Sequence, residues 1–222
     1  MAKLEPLIQS IPVAPLKLAS LEGCRTLADQ VNNYLVSFRH ESPTNVGQAD
    51  SLQGYCADSY LLECECPRFG SGEGKGVLKE SVRGCDLFIM VDVTNYSLTY
   101  RVNGYENHMS PDNHYQDLKR IISAADGKAR RINVIMPFLY EGRQHKRSKR
   151  ESLDCALMLQ ELVDMGVSNI LTFDAHDPRV SNSIPLHGFD SFMPTYQFLK
   201  ALVNSVPDFV IDNDHLMIIS PD

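Results

Sequence analysis

The sequence predicts an α/β domain, a parallel sheet flanked by helices. Three observations carry that prediction. Strand-like and helix-like segments alternate along the chain. "DLFIMVDV" at 86–93 and "RINVIMPF" at 131–138 are near-continuous apolar runs, the pattern of strands buried on both faces. Between them, Leu118, Ile121, Ile122 and Ala125 recur at i, i+3, i+4 and i+7, so the intervening helix has one buried face. Such alternation gives a sheet covered by helices. The length of 222 residues suits one large domain or two small ones, and 43% hydrophobic residues suffice for a core.

Each element follows in order. "LKLAS" at 16–20 reads as the first strand. Residues 22–37 read as a helix with Leu27, Val31, Tyr34 and Leu35 on one face. Residues 40–58 are polar and turn-rich, a loop. "YLLECEC" at 60–66 reads as one strand, followed by "PRFGSGEGKG", a glycine-rich hairpin turn. That turn lacks the G-x-x-x-x-G-K-[ST] phosphate loop and the dinucleotide fingerprint. After strand 86–93, residues 94–111 read as a second long polar loop. A helix over 113–125, the strand 131–138 and a helix over 152–165 ending at Gly166 come next. "SNILTFDAH" is a strand with a polar end, 195–204 a helix and "HLMIIS" at 215–220 a last strand.

Composition excludes some functions. The formal net charge of −7 argues against general nucleic-acid binding, which needs a basic face. No apolar run of about 18 residues spans a membrane, and the first twenty residues lack a secretory pattern. The six cysteines are scattered; Cys64-x-Cys66 has no second pair at ligand spacing. Reduced, partly buried thiols are the reading, with a cytoplasmic setting.

In a parallel α/β sheet, ligands sit beyond the carboxyl ends of the strands. Three segments fall there: the loop after Phe138, "DAHDP" after Phe173, and the terminal "SPD". The first holds Arg143, Lys146, Arg147, Lys149 and Arg150, five cations within eight residues of an acidic chain. Two readings stand: a solvated surface loop, or a phosphate clamp, in which arginine offers paired donors and lysine a mobile point charge. Asp174, His176 and Asp177 have the chemistry to share a nucleotide-borne Mg²⁺, which needs only one or two protein ligands; equally they serve as a helix cap or turn.

Five ordered segments together resemble the ribose-phosphate pyrophosphokinase family. "RFGSGE" is similar to its F-S-D-G-E segment and "ESVRGCDLFIM" to its E-S-I-R-G-C-D strand entry. "INVIMPFLYEGRQHKR" resembles its Y-x-R-Q-D-x-K loop, "NILTFDAHDP" its D-L-H motif, and "IISPD" the start of S-P-D-x-G-G. The resemblance implies a phosphoribosyltransferase-type domain, the amino-terminal ATP-binding half of an enzyme that moves pyrophosphate from ATP to ribose 5-phosphate. It implies that 141–152 is a catalytic loop with Lys146, Arg147, Lys149 and Arg150 on the phosphates. Arg143, Gln144 and His176 would contact ATP, and His176 and Asp222 would hold Mg²⁺. Phe69 and Glu73 would receive adenine across a subunit boundary. Ser81 and Arg83 would belong to a regulatory phosphate site, within a homo-oligomer that is hexameric in the family.

The departures also count. His145 stands where the family has Asp, and Ser71 replaces its Asp or Asn. Residues 40–58 and 94–110 look like insertions. The chain stops inside the last motif, before the D-D-x-x-D-T-x-G-T loop that binds ribose 5-phosphate. The expectation is therefore that 1–222 is one domain of a longer enzyme, inactive alone. The competing expectation is a non-catalytic regulatory subunit.

Overall fold

The computed structural model describes residues 12–41 and 54–206, with the single residues Asp212, Asp214, Met217 and Ile219. The strand expected over 215–220 falls largely outside the described residues. Asp222 and most of the 40–58 insertion also lie outside them.

The chain begins with β1 (Leu16–Ser20), a 3-10 turn (Glu22–Cys24) and α1 (Arg25–Glu41). Short strands β2 (Leu61–Leu62), β3 (Cys64–Glu65) and β4 (Val77–Leu78) precede β5 (Asp86–Met90). Then come β6 (Thr99–Val102), β7 (Tyr105–His108), α2 (Pro111–Ala124), β8 (Arg131–Ile135), α3 (Asp154–Asp164) and β9 (Val167–Phe173). A 3-10 helix (Pro178–Ser183), β10 (Gly188–Phe192) and α4 (Thr195–Ser205) follow.

Six strands form one sheet in the order β10–β9–β8–β5–β1–β2, every pair parallel. The strand order reverses between β1 and β5. Alternating residues on these strands therefore feed two layers. Leu18 and Met90 pack with Cys24 and Ala28 beside α1. Ala19, Leu87 and Ile89 pack against α2 and α3, where Leu118, Ile121, Leu159 and Leu162 are fully buried. The predicted α/β sheet flanked by helices is the observed fold.

Local chemistry sets the helix ends. Ser110 caps α2, its hydroxyl accepting from the Asn113 N–H at 3.2 Å, and Pro111 occupies the first turn, where a missing N–H costs nothing. Gly166, at φ +92°, reverses the chain after α3 into β9.

Three expectations need correction. The buried face of α1 is Ala28 and Asn32, continuing from Cys24, while Leu27 and Tyr34 are exposed. The polar Asn32 wins the inner face because its side chain accepts the Tyr60 N–H at 2.8 Å, satisfying a buried donor. "YLLECEC" breaks at Glu63: β2 joins the large sheet, whereas β3 pairs antiparallel with β4. The stretch 94–111, read as a loop, contains the antiparallel β6–β7 hairpin. Asn103 and Gly104 both have positive φ, as a two-residue Asn-Gly turn requires. Strand β10 was not foreseen at all.

A polar row crosses the sheet near the strand starts. Arg131 donates to both Asp86 oxygens, Asn133 to Asp86 at 2.7 Å, and Asn169 to Asn133 at 2.6 Å. Gly188 ends the row, because a Cβ there would lie 2.1 Å from the Asn169 amide oxygen.

Candidate active site at the carboxyl edge

β8 and β9 are parallel neighbours, so the loops that leave their carboxyl ends emerge side by side. The loop after β8 is fixed at its root. Tyr140 stacks on Tyr115 of α2, with centroids 4.6 Å apart and planes at 12°, and its hydroxyl donates to Asp112 at 2.6 Å. Tyr115 in turn donates to Glu161 of α3 at 2.6 Å. Burial, with Asp154 and Asp112 nearby, pushes the Glu141 carboxyl upward. The Gln144 amide donates to the Ser152 carbonyl at 2.7 Å and to that of Lys146 at 3.4 Å, closing the loop's base.

Beyond that base the side chains of Arg143, Lys146, Arg147, Lys149 and Arg150 are exposed. None of the five forms an ion pair with a described residue. Like charges this close repel, so the arrangement favours a polyanion that enters from solvent.

His145 turns inward instead. Its ring lies 5.1 Å from that of His176, tilted by 56°, and its Nε2 is 3.5 Å from an Asp177 carboxylate oxygen. Both His145 and Asp177 side chains are largely buried. Asp177 caps the following 3-10 helix through the Arg179 N–H at 3.0 Å and holds the Arg179 guanidinium at 2.6–3.2 Å. That guanidinium keeps the Asp177 carboxyl well below the usual carboxylate range. Asp177 thus performs the capping role that the sequence left open. Asp174 adopts φ +46°, its N–H bonded to the Phe192 carbonyl at 3.0 Å, and His176 is exposed beside it.

Phe69 and Glu73 stand elsewhere, on the tip of the β3–β4 hairpin. The tip is closed by Phe69 N–H to the Glu73 carbonyl at 2.7 Å, and Ser71 donates to the Glu73 carboxylate at 2.8 Å. Both Phe69 and Glu73 are exposed. No hydrogen bond, ion pair or ring contact among the described residues joins them to Arg143, Gln144 or His176. Sequence reasoning missed what anchors this hairpin. Arg68 makes a bidentate pair with buried Asp117 of α2, at 2.6 and 2.8 Å, and Arg120 adds a contact to Asp117 at 2.5 Å. The glycines permit this approach. A Cβ on Gly76 would sit 2.3 Å from the Arg120 carbonyl oxygen, and one on Gly74 would sit 2.2 Å from the Arg68 guanidinium. The signal was present as Asp117 and Arg120 at helical i, i+3 spacing.

Ser81 and Arg83 precede β5 and therefore lie at the opposite, amino-terminal edge. Gly84 N–H bonds there to the Lys128 carbonyl just ahead of β8, at 2.9 Å. The Ser81 hydroxyl accepts the Arg83 N–H at 3.3 Å. Five of the predicted residues are thus one exposed cationic loop, His176 adjoins it through His145, and the other two pairs are separate. A cavity of about 260 Å³ at the β1–β5 reversal is lined by Arg25, Arg68, Tyr100, His114 and Asp117, and the β6–β7 hairpin closes one wall.

All six cysteines are free, and burial pushes Cys64 and Cys66 up to about 11 and 12, so both stand as protonated thiols. Among the described residues no group of three His, Cys, Asp or Glu side chains is arranged to hold a metal. No described helix is long and apolar enough to cross a membrane.

Comparison with known proteins follows the same outline. A family model described as the N-terminal domain of ribose phosphate pyrophosphokinase matches residues 16–166. A ribose-phosphate pyrophosphokinase of Corynebacterium ammoniagenes is 29% identical over 167 residues, 74% of this chain and 41% of that protein. One from Staphylococcus epidermidis is 27% identical over 166 residues, 73% of this chain and 46% of that protein. The crystal structure of phosphoribosylpyrophosphate synthetase from Mycobacterium smegmatis superposes with a TM-score of 0.59 at 21% identity. It covers 86% of this chain and 52% of that one, which shows a shared fold. The chain matches less than half the length of these two curated relatives.

Proposed function

The chain belongs to the family of N-terminal domains of ribose phosphate pyrophosphokinase, and from that premise we propose that it is the ATP-binding half of a ribose-phosphate diphosphokinase. In the proposed reaction the anomeric hydroxyl of ribose 5-phosphate attacks the β-phosphorus of ATP. The bond between the α-β bridging oxygen and the β-phosphorus breaks, the hydroxyl proton leaves, and the products are phosphoribosyl diphosphate and AMP.

The single observation that carries this reading is the exposed cation set of residues 143–150, without an ion pair among the described residues, beside His176 at the carboxyl edge of β8 and β9. A transferring pyrophosphoryl group is a dense anion, so catalysis consists mainly of positioning and charge stabilisation. In this reading Arg143 and Gln144 contact ATP and Lys146, Arg147, Lys149 and Arg150 gather over its phosphates. Closing such a loop excludes water that would otherwise intercept the group. Mg²⁺ enters with ATP as part of the substrate. A Mg²⁺ that keeps phosphate and water ligands asks little of the protein, so one exposed imidazole, His176, with Asp222 as a second group, fits that chemistry. Bound there, it would neutralise phosphate charge.

Phe69 and Glu73 are exposed and separate from the loop, which supports adenine binding between copies of the chain in a homo-oligomer. Ribose 5-phosphate is assigned to the part of the relatives that this chain does not match. Ser81 and Arg83 form the proposed regulatory phosphate site at the other edge. Six free thiols suit a reducing cytoplasm. The second reading, a non-catalytic regulatory subunit, draws on His145 and Ser71, which replace acidic or amide residues of the family pattern.

The test is incubation with ATP, Mg²⁺ and ribose 5-phosphate, resolving AMP from ADP. It is run on this chain and on the longer protein that contains it. Ribose 5-phosphate-dependent AMP from the longer protein, with none from 1–222, supports the ATP-half reading. ADP or no turnover from the longer protein refutes it.

A further inference from the structure

We propose that His145 is a positioning residue: it docks the basic loop onto the segment Asp174–Asp177 and so fixes where the loop's cations stand. The inference deepens the proposed function, and it rests on that reading only for its consequence in catalysis.

The loop's attachments are few. Its internal bonds run from the Gln144 side chain to Ser152 and Lys146, from the Gln144 N–H to the Glu141 carbonyl, from His145 to the Arg143 carbonyl, and from the Ser148 N–H to Glu151. Among the described residues, every hydrogen bond, ion pair and ring contact from 143–151 to chain outside 139–154 passes through His145. Its Nε2 reaches Asp177 at 3.5 Å and its ring meets the His176 ring at 5.1 Å. The contact is sheltered, with side-chain exposures of 14% and 12% for His145 and Asp177. The cations on either side of it are exposed.

The acceptor side is itself held by hydrogen bonds. Asp177 is held by the Arg179 backbone and guanidinium, and Ala175 by the Ser191 hydroxyl of β10 at 3.0 Å. His145 therefore meets a partner that is itself held, and the run of exposed cations is tied down at one point near its start. Among the loop's cations, Arg143, Lys146 and Arg147 stand nearest that point along the chain, within two residues of it. Lys149 and Arg150 lie further along and are exposed, with no tie to described residues outside the loop. The loop is thus divided into an anchored half, suited to defining the nucleotide's place, and a half with no described tie outside the loop, suited to meeting phosphates.

Trypsin reads this directly, because the loop offers cuts after Lys149 and Arg150, outside the immediate neighbourhood of residue 145. The chain, its His145→Ala variant and its His145→Gln variant are digested briefly, and cleavage at 149 and 150 is timed by mass spectrometry. Thermal unfolding is followed in parallel. The glutamine amide nitrogen stands near the position of the imidazole Nε2 and retains a donor toward Asp177. The expected result is cleavage about threefold or more faster in His145→Ala, partial return toward the parent rate in His145→Gln, and unchanged unfolding midpoints. Should His145→Ala fail to fold, His145→Gln alone should still cut measurably faster than the parent, since it lacks the ring contact. Equal cleavage rates in all folded variants would overturn the docking. The assay needs no turnover, so its failure is distinct from failure of the diphosphokinase reading. In the longer protein, His145→Ala should raise KM for ATP more than it lowers kcat, and His145→Gln should recover part of it.

Discussion

Replacing Asp117 by asparagine tests the anchor that holds the Phe69–Glu73 hairpin on α2. In the native fold the Asp117 carboxylate is 6% exposed and accepts three contacts: two from Arg68 at 2.6 and 2.8 Å and one from Arg120 at 2.5 Å. The substituted amide would keep one acceptor and turn an NH₂ group toward a guanidinium that is itself only a donor. Two arginine side chains, 10% and 21% exposed, would face each other without a counter-charge. Breaking a buried pair by removing one partner costs about 3–5 kcal/mol. Arg120 is the more exposed of the two arginines and can turn toward solvent, so the lower figure, about 3 kcal/mol, applies. With a urea slope of about 3 kcal/mol/M, the midpoint should fall by about 1 M. The assay is equilibrium urea unfolding of 1–222 followed by circular dichroism, with Asp117→Ala in parallel. A loss below about 0.5 kcal/mol, the range of an ordinary surface change, would refute the reasoning. The anchor would then be a surface ion pair of little consequence.

Other outcomes follow from the same structure. Gly76→Ala should cost about 2 kcal/mol, because its Cβ would sit 2.3 Å from a backbone oxygen, while Gly70→Ala, with nothing within 4 Å, should change stability by less than about 0.5 kcal/mol; paired melting curves decide it. Burial pushes Cys24 and Cys66 to about 12 and Cys64 and Cys155 to about 11, so iodoacetamide at pH 8 should label these four only after denaturation, as peptide mass mapping would show. Glu141 is raised by burial and by Asp154 and Asp112, so the folded state holds its proton to higher pH than the unfolded chain and stability is lost as pH rises through that window. Glu141→Gln should therefore melt about 2 °C higher than the parent at pH 7 and equal to it near pH 4; a constant difference at both pH values would contradict this.

How much was legible beforehand depends on the range of the interaction involved. The strands at 86–93 and 131–138 announced themselves because strands buried on both faces are near-continuously apolar. Helix α2 did so because Leu118, Ile121, Ile122 and Ala125 repeat at the helical period. The Asn103–Gly104 turn is equally local, but its polar neighbours mask the strands it joins. The face of α1 could not be read from apolar spacing. Asn32 goes inward to satisfy the Tyr60 N–H, a donor 28 residues away. β10 was hidden because an edge strand with one polar side carries a weak pattern.

The candidate site divides in the same way. The sequence by itself determined that an acidic chain places five cations on one loop, and that this loop and "DAHDP" each follow a strand. Period and order decide those facts. Only the tertiary structure decided that the two loops emerge together, because β8 and β9 are adjacent in the sheet. It alone turned His145 inward onto His176 and Asp177 and fastened the Phe69 hairpin through Arg68 to Asp117, 49 residues away. Such pairings depend on how strands are ordered and helices packed. Distances across a sheet are set by neighbours in space, and those neighbours leave no periodic trace along the chain.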